Sequence, residues 1–185
     1  DDVRRDLALR YLADGKNGLR VVQLTDIHLG PWITLEYVHE ALRMANALEP
    51  DLIVLTGDYV HRSKAYIEPV AKALTELRAR IGVAGVLGNH DWWEDGSLAR
   101  SAFGRAGIPL IDNSRRFVTP GRKLVAQASE GLCLAGVGDL WEDVVSFGEA
   151  LGGVPASMPR LLLSHNPDAA EEPELVQGGY RVDLM

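Results

Sequence analysis

The sequence predicts an α/β fold built on a parallel sheet. Three short apolar runs, at about 20–25, 52–56 and 83–87, alternate with segments of helical periodicity. Strands that are apolar throughout are typical of a parallel sheet that is covered on both faces. Each run ends abruptly in polar residues, and ligand sites in such sheets gather beyond the carboxyl ends of the strands. The pattern therefore predicts both the fold class and the position of a site.

The segments between these strands have the signals of amphipathic helices. Thr34 is a good N-cap residue, and Pro50 ends the first helix before the second strand. The apolar stripe of this helix is Leu35, Val38, Leu42, Ala45 and Leu48. Pro69 fits the first turn of a second helix, which leads to the third strand.

The second half of the chain predicts a different arrangement. Short apolar runs near 117–118, 124–126 and 132–135 are separated by Pro-Gly and Glu-Gly turns, which favours antiparallel strands in a second sheet or in a mixed extension of the first. Short helices are expected at about 97–105 and 146–151. A strand at 160–163, a broken helix around 168–177 and a final strand within 180–185 complete the prediction.

Length and composition favour one domain over residues 1–185, in which 1–18 form an N-terminal extension. The net charge of −7 argues against a nucleic-acid binder, which needs a basic face. The single Cys133 lies in an apolar run and predicts a buried thiol.

No apolar run reaches the roughly 18 residues of a membrane span. The expected location is cytoplasmic or peripheral to a membrane, although a chain that starts at Asp1 leaves room for a removed signal or anchor.

The polar residues after four strands have the chemistry of metal ligands. The candidates are Asp26, His28, Asp58, Asn89 and His165. A mixed set of oxygen and nitrogen donors favours manganese, iron or zinc over calcium, and the absence of thiolates argues against a structural zinc site. Two divalent ions about 3.5–4 Å apart would clamp a phosphate and generate a hydroxide nucleophile near neutral pH. Manganese is the first expectation.

Two further residues in the third strand end suggest an acid catalyst. His90, next to Asn89, would face the substrate and protonate a leaving alkoxide, and Asp91 would fix its tautomer. Any one of these residues alone is more often a turn former, a cap or a structural histidine. The agreement of four strand ends is what favours a site. His61, three residues after Asp58, is expected to be a loop residue or a substrate contact. Trp92 and Trp93 are expected mainly to pack.

These motifs resemble those of the calcineurin-like metallophosphoesterases, and more narrowly the YaeI-type phosphodiesterases of bacteria. The matching stretches are Asp26-Ile27-His28, Gly57-Asp58, Gly88-Asn89-His90-Asp91 and Ser164-His165. The resemblance implies a four-layer α/β/β/α sandwich with a dinuclear centre. In it, Asp26 and His28 would hold one metal, Asp58 would bridge, and Asn89 with His165 would hold the other. His90 would be the catalytic acid, assisted by Asp91.

Two departures from the family pattern affect the expectation. The family often has an acidic residue at the position of His61. It also continues into a Gly-His-x-His segment, with another ligand for each metal, that is absent from these 185 residues. Weak metal affinity and poor activity are therefore expected of this exact chain.

The expected function is hydrolysis of a phosphodiester or diphosphate bond in a small-molecule or lipid-linked substrate, with peripheral membrane association left open. The alternatives are a non-catalytic scaffold with the same fold and a phosphomonoesterase or protein phosphatase. Relative rates on diesters and monoesters would separate the expected diester hydrolysis from the phosphomonoesterase or protein phosphatase alternative.

Overall fold

The first sheet is parallel, as its apolar strands predict. A computed structural model describes residues 18–185 of the chain. Strands β1 (Val21–Leu24), β2 (Leu52–Thr56) and β3 (Gly82–Val86) pair in the order β1-β2-β3, and both pairs are parallel. All three carboxyl ends therefore meet at one edge of the sheet. The expected N-terminal extension lies outside the described residues apart from Gly18.

Three helices follow these strands: α1 (Leu35–Ala47), α2 (Ile67–Leu74) and α3 (Asn89–Arg105). The hydroxyl of Thr34 accepts a hydrogen bond from the Tyr37 N–H, so the predicted N-cap of α1 is confirmed. Helix α3 begins well before the predicted Ser97. Its first turns were missed because Asp95 interrupts the helical backbone, with φ −179° and ψ 88°, and so breaks the apolar period.

The second half forms a separate sheet rather than an extension of the first. Strands β4 (Ser114–Val118), β5 (Leu124–Val125), β6 (Leu132–Gly136) and β7 (Arg160–Leu163) pair in the order β5-β4-β6-β7. The β4 pairings are antiparallel, and β6–β7 is parallel. Helices α4 (Phe147–Leu151) and α5 (Pro173–Gln177) lie in this half. The expected final strand is reduced to one bridge, between Leu184 and Leu161.

Three apolar cores define four layers. Helices α1–α3 pack on the outer face of the first sheet, and α4 and α5 pack on the outer face of the second. Between the sheets lies a third core, which includes Val54, Val86, Leu134 and Leu163. This is the α/β/β/α sandwich that the family resemblance implies. Cys133 is fully buried, and burial raises the pKa of its thiol to about 11, as a structural thiol requires.

Candidate metal centre

The loop after β1 presents Asp26 and His28 in a strained backbone conformation. Their φ angles are +54° and +50°, and that of Asp58 after β2 is +56°. Residues with side chains rarely occupy this left-handed region, and such strain gathers at functional sites. Backbone hydrogen bonds hold the two loops together: the Asp26 N–H donates to the Gly57 carbonyl, and the His28 N–H to the Asp58 carbonyl. In this backbone conformation the three side chains converge, and one potential ligand atom of each lies within 4.8 Å of those of the other two.

The carboxylate of Asp58 lies between two groups of donors. Its Oδ2 is 3.4 Å from His28 Nε2, and that nitrogen is also 3.5 Å from Asp26 Oδ1. Its Oδ1 is 3.5 Å from His165 Nε2. The side chain of Asp58 is only 4% exposed. One oxygen therefore faces the Asp26–His28 pair and the other faces His165.

The second group of donors brings together the ends of β3 and β7. His165 Nε2 lies 3.2 Å from Asn89 Oδ1, and His165 Nδ1 lies 2.8 Å from the carbonyl oxygen of Thr56. A carbonyl accepts a hydrogen bond, so Nδ1 carries the hydrogen and a neutral ring keeps its Nε2 lone pair for the site. The structure thus brings all five predicted ligands together.

This donor set fits divalent cations. In each group, a ring nitrogen faces oxygen atoms at 3.2–3.5 Å: Asp26 and Asp58 in one, Asn89 and Asp58 in the other. The Nδ1 atom of His28 is buried without a hydrogen-bond partner among the described residues. Lone pairs directed at one another are unfavourable unless a proton or a cation lies between them. Oxygen and imidazole donors together suit manganese, iron or zinc.

His90 lies beside these groups but makes a different contact from the one expected. Its Nδ1 is 2.9 Å from Nδ1 of His61, and its Nε2 is 3.9 Å from Asp58 Oδ2. Burial lowers the pKa of His90; Asp58 opposes this effect, and the His28 and His61 imidazoles add to it. The neighbour that fixes the His90 ring is therefore His61. The sequence alone predicts His61 only as a loop residue or a substrate contact.

The prediction that Asp91 fixes the tautomer of His90 is wrong. Both oxygens of Asp91 accept hydrogen bonds from buried backbone N–H groups instead. The donors are Asp58, Tyr59, Val60 and Gly88. Burial raises the pKa of Asp91 to about 7, in part offset by the N–H bonds. Because Asp91 is the third residue of α3, its short side chain lies at the start of the helix and points back to the loop after β2. It positions Asp58 rather than His90.

The groups around the centre are partly aromatic. Trp92 is half-buried and packs against the first core, as expected, but Trp93 is 56% exposed and lies against the His90 ring, with centroids 4.6 Å apart. Trp32 lies against His61 and under the guanidinium of Arg62. His39, inside α1, is expected from the sequence to be a surface or packing residue; it lies at the surface and pairs with the exposed Glu76, away from the site.

A further buried carboxylate, Asp139, follows β6 and is not among the residues predicted from the sequence. It is fully buried; its Oδ1 accepts hydrogen bonds from the Trp141 and Glu142 N–H groups, whereas its Oδ2 has no partner among the described residues. Burial raises the pKa of Asp139; Asp58 raises it further, whereas His165 lowers it. The signal was present, because Gly138-Asp139 ends an apolar run just as Gly57-Asp58 does.

Comparison with known proteins assigns the family. Residues 19–184 match the calcineurin-like phosphoesterase family. The chain belongs to this family. Calcineurin-like phosphoesterases normally bind divalent metals. Among the described residues, two clusters of side chains are close enough to hold a metal ion: Asp26, His28 and Asp58, and His28, His61 and His90. Among residues 18–185, no helix has both the length and the apolar character to cross a membrane.

Several calcineurin-like phosphoesterases are similar to this chain over most of its length. A transmembrane protein with a metallophosphoesterase domain from Danio rerio is 29% identical over 90% of the chain, and the match covers 39% of that protein. The phosphodiesterase YaeI of Escherichia coli is 29% identical over 88% of the chain and is covered to 58%. The UDP-2,3-diacylglucosamine pyrophosphatase LpxG of Chlamydia trachomatis is 25% identical over 82% of the chain, again with 58% covered. The chain thus spans between about two and three fifths of these relatives.

Proposed function

We propose that the protein is a metal-dependent phosphoesterase that hydrolyses a phosphodiester or diphosphate bond. The observation that carries the proposal is the placement of Asp58, whose two oxygens face separate groups of donors at 3.4 and 3.5 Å. A carboxylate so placed suits the bridge between two cations. The named activities of YaeI and LpxG, a phosphodiesterase and a pyrophosphatase, support this substrate class.

The ligand assignment follows from the two groups. Asp26 and His28 would hold one divalent ion, Asn89 and His165 the other, and Asp58 both. When bound, such ions neutralise phosphate oxygens and lower the pKa of water to near neutrality. The Thr56 carbonyl, which accepts from His165 Nδ1, fixes the tautomer that presents Nε2. Asp91 holds the loop that carries Asp58 through backbone N–H groups, and we assign it as a positioning residue.

His90 is proposed as the general acid. Its ring lies next to Asp58 without belonging to either group of ligands, and its side chain is 20% exposed, so a substrate can reach it. In the protonated form of His90, Nδ1–H donates to Nδ1 of His61 and the second hydrogen is on Nε2, the nitrogen on the Asp58 side. Loss of the Nε2 hydrogen leaves a neutral imidazole. That hydrogen is then available to the oxygen that leaves phosphorus.

The test is manganese-dependent hydrolysis of bis(p-nitrophenyl) phosphate, with p-nitrophenyl phosphate as the monoester. We expect the diester to be preferred at saturating manganese. His90→Ala should lower kcat by about 10²–10⁴-fold, the usual contribution of a general acid. Its manganese stoichiometry, from isothermal titration calorimetry, should not change. Asp58→Asn should lose metal affinity as well as activity.

His39→Ala is the matched control, since His39 is a histidine of the same chain that lies away from the centre. It should leave both the rate and the manganese stoichiometry unchanged. A chain that binds manganese but is unaffected by His90→Ala contradicts the assigned acid. Because weak metal affinity is expected of these 185 residues, the absence of manganese binding favours the scaffold alternative only in a chain extended beyond Met185 by a Gly-His-x-His segment. A preference for the monoester favours a phosphomonoesterase.

A further inference from the structure

We propose that His28, His61 and His90 form an imidazole-only site, which shares His28 with the Asp26–Asp58 group, and that capture of a zinc-class cation at this site inhibits the enzyme. One ring nitrogen from each of the three histidines lies within 4.8 Å of one from each of the others. The inhibitory consequence rests on the proposed function, whereas the binding itself does not. The ligand class is a borderline-soft divalent ion such as Zn²⁺ or Cu²⁺.

The three rings surround a common point. The ring centroids of His61 and His90 are 4.7 Å apart, those of His28 and His90 4.7 Å, and those of His28 and His61 5.5 Å. His28 meets the other two edge-on, at interplanar angles of 86° and 85°. All three residues are half-buried, so the site is sheltered but open to an ion from solvent. The nearby carboxylates of Asp26 and Asp58 add negative charge that attracts a cation.

The contact between His61 and His90 is already close to a metal-binding geometry. Their Nδ1 atoms are 2.9 Å apart, and one hydrogen lies between them. An ion at the usual Zn–N distance of about 2.0–2.1 Å from both would subtend an angle of roughly 90°, and opening to a tetrahedral angle needs only about 0.4 Å more separation. Exchange of the shared proton for the ion leaves both rings neutral, as metal binding requires.

Nitrogen donors decide which ions this site selects. The proposed catalytic groups contain carboxylate or amide oxygen, which manganese accepts readily. Three imidazoles favour zinc and copper over manganese, in line with the general order of affinities for nitrogen donors. His28 belongs both to this site and to the Asp26–Asp58 group, so the two arrangements compete for it. An ion on Nδ1 of His90 takes the place of the Nδ1 proton, so the ring stays neutral. Transfer of its Nε2 hydrogen would then leave an imidazolate, which makes His90 a poor acid.

Copper(II) alone is the first probe, because the nitrogen couplings in its pulsed electron paramagnetic resonance spectrum count coordinated imidazoles. We expect three in the wild-type chain and fewer in His61→Asn and His61→Phe. His39→Asn, the control for surface histidines, should have the wild-type spectrum. This readout needs no activity, so it stands even if the proposed function fails. Two or fewer imidazoles in the wild type, or an unchanged spectrum in both His61 variants, would overturn the site.

Zinc inhibition of manganese-supported diester hydrolysis tests the consequence. We expect His61→Asn to raise the half-inhibitory zinc concentration by about tenfold or more, since even outer partners of a metal contribute 10–100-fold to affinity. Each variant is compared with its own zinc-free rate, so a lower basal rate does not affect the reading. His39→Asn should be inhibited like the wild type. An equal half-inhibitory concentration in wild type and His61→Asn would overturn the inhibitory role.

Discussion

At the scale of single residues, the centre is built on backbone strain that one buried carboxylate stabilises. Asp26, His28 and Asp58 all have positive φ, a conformation that costs about 1–3 kcal/mol per residue when nothing compensates. Asp91, 1% exposed, compensates at the Asp58 loop, because it accepts hydrogen bonds from the N–H groups of that loop and of Gly88. Asp91, which stabilises the conformation of the Asp58 loop, is thus not itself one of the candidate metal ligands.

Asp91→Ala should destabilise the chain strongly. It leaves buried N–H groups of the Asp58 loop and of Gly88 without an acceptor, and each unsatisfied group costs about 1–3 kcal/mol. We expect a loss of about 3 kcal/mol or more in the free energy of unfolding, measured by urea denaturation of the metal-free chain. Asp91→Asn, which keeps one acceptor oxygen, should fall between the wild type and the alanine variant.

The exposed Asp168 offers the control for Asp91. Its replacement by alanine should change the free energy of unfolding by no more than about 0.5 kcal/mol. If Asp91→Ala is as mild as Asp168→Ala, the carboxylate does not hold the loop, and its assignment as a positioning residue fails.

At the scale of elements, glycine lets the strand ends approach one another. A Cβ on Gly88, at the N-terminus of α3, would lie 2.3 Å from Asp58 Oδ1 and 2.6 Å from the Asp58 backbone nitrogen. The helix begins this close to the β2 loop because residue 88 has no side chain. The same approach allows the His90 N–H to donate to Asp58 Oδ1 at 2.9 Å. The Gly-Asn-His-Asp sequence is therefore a steric requirement as well as a source of donors.

Gly88→Ala and Gly104→Ala form a matched pair on helix α3. A Cβ at Gly104 would contact nothing within 4 Å, so alanine there should stabilise the helix by about 0.5–1 kcal/mol. Gly88→Ala should instead destabilise the chain by about 1–3 kcal/mol, as other overpacked sites do, and weaken manganese binding by displacing Asp58. Thermal denaturation and calorimetric titration measure the two effects. The steric role would be contradicted if the two variants were equally stable, or if Gly88→Ala were the more stable one. Unchanged manganese affinity in Gly88→Ala would contradict it as well.

At the scale of the whole molecule, the core between the sheets brings the two halves of the centre together. Asp58 and Asn89 follow strands of the first sheet, whereas His165 follows β7 of the second. The distance of 3.2 Å between Asn89 Oδ1 and His165 Nε2 therefore depends on how the sheets pack. Leu134, fully buried in β6, is part of that packing.

Leu134→Ala and Leu74→Ala separate stability from site geometry. Both leucines are buried: Leu134 lies between the sheets, and Leu74, the last residue of α2, lies in the core between the helices and the first sheet. Each variant should lose about 2–5 kcal/mol in the free energy of unfolding. Only Leu134→Ala should also lower manganese affinity, because its cavity lets the sheets shift relative to each other. Titration calorimetry at a temperature where both variants are folded makes the comparison, and equal affinities would show that the intersheet core does not set the ligand geometry.

The sequence by itself determined the elements and the donor types. Continuous apolar runs specified parallel strands, and the polar residues at their ends specified a site, because parallel strands bring their carboxyl ends to one edge. Thr34 marked the start of α1. The early start of α3 and the loss of the final strand could not be predicted, because Asp95 breaks the helical period and Leu184 makes only one bridge.

Tertiary structure alone decided which side chains meet. Asp91 is adjacent to His90 in sequence, yet its hydrogen bonds go to residues 58–60 and to Gly88, because the first turn of α3 points it away from its neighbour. The His61–His90 pair spans 29 positions, and the sequence offers no local pattern for it. Gly138-Asp139 has the same pattern as Gly57-Asp58, but a single carboxylate after a strand is usually a turn former, and only the structure shows Asp139 buried with one oxygen unpaired among the described residues. Spacing identifies donors along the chain, whereas contacts across loops depend on side-chain direction and on the packing of two sheets.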